Sequence, residues 1–170
     1  LRKQNRWRRI AFQPEYTTVV AANTYRKVLR PAELVKGGDV IREMRKCKDR
    51  QEIKSIRDAI RIAEEAFKAT CRAIRVGMTE KHVAARLEYE MLKRGSSEAA
   101  FQTIVAEGPN ASLPHYRAGN RKIRPGSLIL IDWGATVGHY HSDLTRVLFV
   151  RRIPPRFRRM YTAVLEAQRR

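Results

Sequence analysis

Asp132 and Asp143 stand among glycines and strand-forming residues in the stretch IDWGATVGHYHSD, residues 131–143, of a chain that is otherwise heavily basic. Suppose that residues 128–133 and 140–150 form the strands of a hairpin turning near Val137-Gly138. Alternation then puts Leu128, Leu130 and Asp132 on one face, and Asp143, Thr145 and Val147 on one face of the returning strand. Direct pairing of the two aspartates would bring their Cβ atoms within roughly 4.5–5.5 Å. A register slip of two keeps them on a shared face, and a slip of one separates them. Carboxylates so placed repel, and desolvation beside an apolar strand adds to the cost. A shared proton relieves the repulsion, and so does a hard divalent cation, or two cations about 3.5–4 Å apart bridged by carboxylates. Asp132 and Asp143 are therefore candidate metal ligands. Two other readings stand beside this one. Either aspartate could cap a turn or pair with Arg146, although alternation sends Arg146 to the opposite face from Asp143. His139 and His141 alternate onto the face of Asp143, which makes His-x-His-x-Asp a rival site.

A third chemical element lies upstream in GPNASLPHY, residues 108–116. Loops carry function when a rigid sheet positions them, and Pro114 restrains the backbone just before His115. The imidazole of His115 could donate to a substrate carbonyl or accept a proton, or it could be an ordinary surface histidine.

These residues need elements to hold them. Ile53, Ile56, Ile60, Ala63 and Phe67 recur at spacings of three and four from Asp49 onward, predicting a long amphipathic helix that ends before Gly77, with that glycine as its C-cap. Thr79 offers an N-cap for a second helix with Val83, Leu87 and Met91 buried, closed by Gly95. Beyond it, residues 101–106, 128–133 and 140–150 are rich in branched and aromatic side chains, separated by Gly, Pro and Asn. Helices grouped before strands predict an α+β architecture with an antiparallel sheet. Residues 1–38 read as irregular, with a β-prone patch at 16–20 and breakers at Arg30-Pro31 and Gly37-Gly38. There is no internal repeat.

The 170 residues suffice for one domain, or one domain and part of another, and a 43% hydrophobic content supports a core. No apolar run reaches the length of a membrane span, and the basic start lacks the apolar segment of a signal peptide, so a cytoplasmic location is expected. Cys47 and Cys71 stand far apart without a CxxC pairing, which argues against a disulfide framework and a cysteine zinc site; both are expected buried or half-buried. A formal net charge of +19 would suit a nucleic acid or another polyanion. The arginines are nonetheless spread along the chain, concentrated locally at 6–9 and 151–159, without the interleaved aromatics of a stacking platform, and no nucleic-acid partner is expected. A start at Leu1 and an end at Arg170 inside a helical pattern, Met160, Ala163, Val164 and Ala167, suggest that both ends are cut.

Taken together, Arg57-Asp58-Ala59, Gly77-Met78-Thr79-Glu80, FQTIVA at 101–106, Gly108-Pro109-Asn110 with Pro114-His115-Tyr116, IDWGA at 131–135 and SDLTR at 142–146 resemble the Xaa-Pro peptidases. These belong to the metallopeptidase family that also holds methionine aminopeptidases and creatinases, with the pita-bread fold. The resemblance covers residues 41–170 in order, and the Pro-His-Tyr and Ser-Asp-x-Thr-Arg wording favours the Xaa-Pro branch. It implies that residues 1–40 are the remnant of a preceding creatinase-like domain with its linker, and that 41–170 form the N-terminal half of a pita-bread domain.

The resemblance further implies two divalent metal ions, manganese or cobalt and sometimes zinc, bridged by a hydroxide that attacks a peptide carbonyl. Asp132 would chelate one ion, Asp143 would bridge both, and His115 would contact substrate near the scissile bond. The substrate would be a peptide with proline at its second position, acted on by an aminopeptidase or dipeptidase that is a homo-oligomer at full length. Three departures stand out. A further histidine and two glutamates of the family's metal site have no counterpart here, so the 170 residues alone are expected to be inactive. His139 stands where glycine is common, and Ser127 replaces a common aspartate as a local cap. A non-catalytic pita-bread module that binds a polyanion is the alternative, which the carboxylate pair disfavours.

Overall fold

The computed structural model describes residues 7–151 and 153–169, in two compact units that divide between Asp49 and Arg50. Residues 1–6 and Arg152, which hold part of the basic concentrations, lie outside the described residues.

In the first unit β1 (Arg9–Phe12) runs parallel to β2 (Glu33–Lys36), and α1 (Val19–Val28) connects them. The reading of 16–20 as β-prone is overturned, because this stretch leads into a helix. Thr18 is extended, and its hydroxyl accepts from the Ala21 amide at 3.2 Å, satisfying one of the donors that a helix start leaves without a partner. That cap, followed by Ala21 and Ala22, outweighs the local preference of the branched residues for strands. Over residues 9–36 the irregular reading likewise gives way to a β-α-β order. After α2 (Val40–Lys46), which has no buried residue, Cys47 is exposed rather than buried, since nothing packs over it.

The second unit begins with α3 (Arg50–Ala73) and α4 (Glu80–Lys93). The buried stripe of α3 is Ala59, Ile62, Ala63, Ala66 and Thr70, while Ile53 and Ile60 are exposed. Periodicity found the helix, and Ala63 and Phe67 of the expected stripe do face the core, but Ile53 and Ile60 do not, because Ala59 and Ala66 take the inner positions where α3 approaches α4. Gly77 does take a positive φ of 93°, but within the connecting turn rather than as the helix cap, its amide bonding to Ile123 O at 2.9 Å. Thr79 caps α4 through the His82 amide, Val83, Leu87 and Met91 are buried, and Gly95 follows the helix at φ 97°.

A three-stranded antiparallel sheet follows, β3 (Ile104–Glu107), β4 (Leu128–Trp133) and β7 (Leu144–Phe149), in the order β3-β4-β7. A small hairpin of β5 (Thr136–Val137) and β6 (Tyr140–His141) stands between β4 and β7 in the chain. Ile129, Ile131 and Trp133 of β4 join Ile62, Ala63, Ala66, Val83 and Leu87 in one core. Trp133 stacks on Phe67 with ring centroids 4.4 Å apart, and its Nε1 donates to Ala63 O at 3.0 Å. Truncating one of these large core side chains costs about 2–5 kcal/mol. By alternation Leu128, Leu130 and Asp132 lie on the other, half-buried face of β4.

The expected strand over 140–150 is interrupted at Ser142-Asp143, yet one register runs through the break. Val137 pairs with Tyr140, Thr136 with His141, Trp133 with Leu144, and Asp132 with Thr145. The turn residues are Gly138 at φ 56° and His139 at φ 67°, the two consecutive positive angles of a type I′ hairpin turn. Direct pairing of Asp132 with Asp143 is thereby corrected by a slip of two. That pairing would need Val137 in the turn, where a β-branched residue resists positive φ. The last helix, α5 (Pro155–Gln168), forms as its pattern predicts, with Met160 and Val164 exposed. Among the described residues no helix is long and apolar enough to cross a membrane.

Candidate active site

The slip of two leaves Asp132 and Asp143 on one face, now diagonal neighbours about 7 Å apart rather than facing each other. Asp132 is half-buried on β4, and the hydroxyl of its partner Thr145 donates to Oδ1 at 2.9 Å. Asp143 is exposed, just before β7, and its position is fixed through its neighbour. Ser142 is buried and bonded three ways: its amide donates to Ala135 O at 3.0 Å, its hydroxyl accepts from the Ala135 amide at 2.9 Å, and the same hydroxyl donates to Ala59 O on α3 at 3.2 Å. Across from Asp143, a side chain on Gly134 would place its Cβ 1.9 Å from Ser142 O, so only glycine permits this approach.

His115 joins them from the loop between β3 and β4. Asp132, Asp143 and His115 line one cleft of about 360 Å3 with Phe101, Gln102, Ile104, Pro114 and Tyr116. Three residues chosen from sequence thus meet in one place. Phe101, Ile104 and Pro114 make its walls partly apolar, as a site that must seat a small organic group requires.

In a chain with 36 basic side chains, neither aspartate forms an ion pair among the described residues. Arg146 turns away and donates to Thr145 O, so the alternative of an Arg146 partner fails. The rival histidine site does not assemble either. His139 is exposed in the hairpin turn, and His141 Nδ1 lies 2.9 Å from Thr136 Oγ1. Among the described residues no group of three His, Cys, Asp or Glu side chains is arranged to hold a metal. The two aspartates therefore fit a hard divalent cation in the kind of donor they offer, carboxylate oxygens without a cationic partner, and supply only part of a coordination shell.

Sequence reasoning assigned no role to three residues that shape the site. Thr145 would have emerged as the partner of Asp132 had the turn been centred one residue later. Glu80 and Asn110 act from outside the cleft: Glu80 is fully buried at the start of α4 and accepts from Asn110 Nδ2 at 2.9 Å and from Tyr116 OH at 2.7 Å. Nothing in the periodicity of α4 separates Glu80 from an ordinary first-turn glutamate. Ser127 matches its expected role as a local cap, accepting from the Arg124 amide at 3.0 Å and donating to the buried Glu107, which also binds Arg121.

The model of metallopeptidase family M24 matches residues 54–170 of the chain. The chain belongs to this family. The Xaa-Pro dipeptidase of Pyrococcus furiosus is 41% identical over 138 residues, which are 81% of this chain and 40% of that protein. Among solved structures, the X-Pro aminopeptidase from Thermotoga maritima aligns with a TM-score of 0.90 and 38% identity, over 96% of this chain and 46% of its own. The prolidase from Pyrococcus furiosus aligns with a TM-score of 0.82 and 35% identity, over 95% and 48%. The chain thus spans less than half the length of these relatives. Within that span the α+β fold is the pita-bread arrangement of the M24 peptidases.

Proposed function

We propose that the protein to which these residues belong hydrolyses the peptide bond preceding a proline near the N-terminus of short peptides, with two divalent cations. The observation that carries this reading is the cleft where His115 meets two aspartates that have no cationic partner, in a chain of an M24 metallopeptidase. Asp132 and Asp143 would hold the cations, with Thr145 orienting Asp132 through its hydroxyl and Ser142 anchoring Asp143. Cations bound there would polarise a peptide carbonyl and make water a stronger nucleophile at neutral pH. His115, on the loop between β3 and β4, lines the same cleft and can donate to a carbonyl oxygen or take up a proton. Phe101, Ile104 and Pro114 offer apolar surface of the kind that receives a proline ring.

Two carboxylates alone do not complete a binding site for two cations, so the 170 residues in isolation should be inactive. The test uses the complete gene product loaded with manganese first, then cobalt or zinc, and a panel of Xaa-Pro and Xaa-Ala dipeptides and longer peptides. Cleavage confined to Xaa-Pro bonds and abolished by Asp143→Ala is expected. Failure to cleave any Xaa-Pro bond, or full activity in Asp143→Ala, would refute the assignment.

A further inference from the structure

The loop that carries His115 has little structure of its own. Between the 3-10 turn Gly108–Ser112 and Gly119 its backbone makes few hydrogen bonds, and residues 112–115 are exposed. One buried side chain gathers it. Glu80 has no exposed surface, and its two carboxylate oxygens receive four donors from this segment. Oε1 accepts from the Glu107 amide at 2.8 Å and from Asn110 Nδ2 at 2.9 Å; Oε2 accepts from Tyr116 OH at 2.7 Å and from the Gly119 amide at 2.9 Å. Asn110 Nδ2 also donates to Tyr116 OH at 2.7 Å, closing the ring of contacts. At Gly119 a Cβ would meet Tyr116 OH at 3.1 Å and Glu80 Oε2 at 3.3 Å, so the glycine leaves room for the network.

We propose that Glu80 is a positioning residue which, through Asn110 and Tyr116, fixes the loop that presents His115 to Asp132 and Asp143. The inference rests on the peptidase reading of that cleft. The donors span the segment from its beginning at 107 to its end at 119, with His115 next to the Tyr116 anchor. A carboxylate is the group this place demands, because every partner donates and glutamine offers only one acceptor oxygen. Were glutamine present, its amide NH2 would face the Glu107 amide and Asn110 at the Oε1 side, or Tyr116 and the Gly119 amide at the Oε2 side. The Asn110 side chain can flip and the phenol can turn to accept, but neither backbone amide can. Burial would push the Glu80 carboxyl up; the bonds from Glu107, Asn110, Tyr116 and Gly119 outweigh it and hold the group below its ordinary value. Tyr116 is pushed the other way, first because its phenol donates to Glu80.

The test is a double-mutant cycle in the manganese-loaded complete gene product, with Glu80→Gln and His115→Ala singly and together. Displacing a reacting group by about 1 Å can cost on the order of 100-fold in rate. Glu80→Gln is therefore expected to lower kcat on an Xaa-Pro dipeptide by 10- to 100-fold, with KM changed less than threefold and manganese affinity unchanged. In the His115→Ala background the same substitution should change kcat less than twofold. Tryptic cleavage after Arg117, read on the same proteins, should accelerate at least tenfold in Glu80→Gln. Equal loss of kcat in both backgrounds, no loss in either, or unchanged cleavage at Arg117 would overturn the proposal. If Glu80→Gln does not fold, Tyr116→Phe removes the phenol's bonds to Glu80 and Asn110 and leaves the carboxylate in place; it should show the same non-additivity with His115→Ala at smaller amplitude, and additivity there refutes the proposal. Wild-type protein without Xaa-Pro activity but with the protease effect would sink the peptidase reading while the loop anchor stands.

Discussion

The approach of Gly134 to Ser142 makes a sharp prediction about how Asp143 is held. In Gly134→Ala the new Cβ would lie 1.9 Å from Ser142 O, when contacts under 3.0 Å are essentially absent from real structures, so the strands must part by about 1 Å at that point. Ser142 cannot move that far and keep its amide bond to Ala135 O at 3.0 Å and its hydroxyl bonds at 2.9 and 3.2 Å. Overpacking costs about 1–3 kcal/mol and each lost hydrogen bond about 1 kcal/mol, so a destabilisation of about 2–4 kcal/mol is expected. With a urea slope of about 2 kcal/mol per molar, the unfolding midpoint should fall by about 1–2 M. The chain has two tryptophans, so a Trp7→Phe background leaves Trp133, buried on Phe67, as the fluorescence reporter of this unit. Gly77→Ala is the comparison, because Gly77 needs its positive φ but has nothing within 4 Å of a would-be Cβ; it should cost about 1 kcal/mol. A Gly134→Ala midpoint within about 0.2 M of the parent (about 0.4 kcal/mol on that slope), or no lower than that of Gly77→Ala, would refute the steric account.

Other residues give shorter tests. Thr145→Val removes the donor to Asp132 at an exposed position, so stability should change by less than about 0.5 kcal/mol while manganese affinity of the complete protein, by calorimetry, drops severalfold. His139→Gly relieves a positive φ of 67° and should raise stability by up to about 1 kcal/mol in urea titration. His141→Ala should leave manganese affinity unchanged, and a large loss in the same calorimetry would revive the histidine site. Glu90, buried between Arg94 and Arg86, is held below its ordinary carboxyl value, first by its hydrogen bond to Arg94. A depressed folded value means that its stabilisation is complete above the unfolded value near about 4.3 and is lost as pH falls through the folded one. Glu90→Gln should therefore flatten the acid limb of a stability profile below about pH 5, and an unchanged slope there would count against the pairing.

What the sequence revealed, and what it hid, follows the range over which each signal acts. Thr79 and Gly95 mark the ends of α4 because capping is settled within a turn of the chain, and the β4 boundaries at Leu128 and Trp133 follow from a short run of strand-forming residues after Pro125-Gly126 and before Gly134. Residues 16–20 misled because Thr18 serves equally as a strand former and as a helix cap, and only the residues after it decide which. Part of the inner face of α3 stayed hidden for a related reason. Alanine says little about burial when read alone, and Ala59 and Ala66 are buried because α4 and the sheet come close enough to need small residues.

The site shows the same division at higher stakes. Asp132, Asp143 and His115 were legible because their chemistry is unusual for their places, two like charges on one face of a hairpin and an imidazole behind a proline. Their supports were not, because each supporting residue is ordinary by type: a glutamate in a first helical turn, a threonine in a strand, a serine beside an aspartate. What distinguishes Glu80, Thr145 and Ser142 is the partner that each meets across 36, 13 and 83 residues of chain, at Tyr116, Asp132 and Ala59. Those long-range bonds make the cleft a product of the fold rather than of its loop. The prediction for the whole protein is then directional: substitutions at the supports should change how the three cleft residues are presented before they change whether the unit folds, since each removes polar bonds and leaves intact a core that Trp133, Leu87 and Ile131 hold independently.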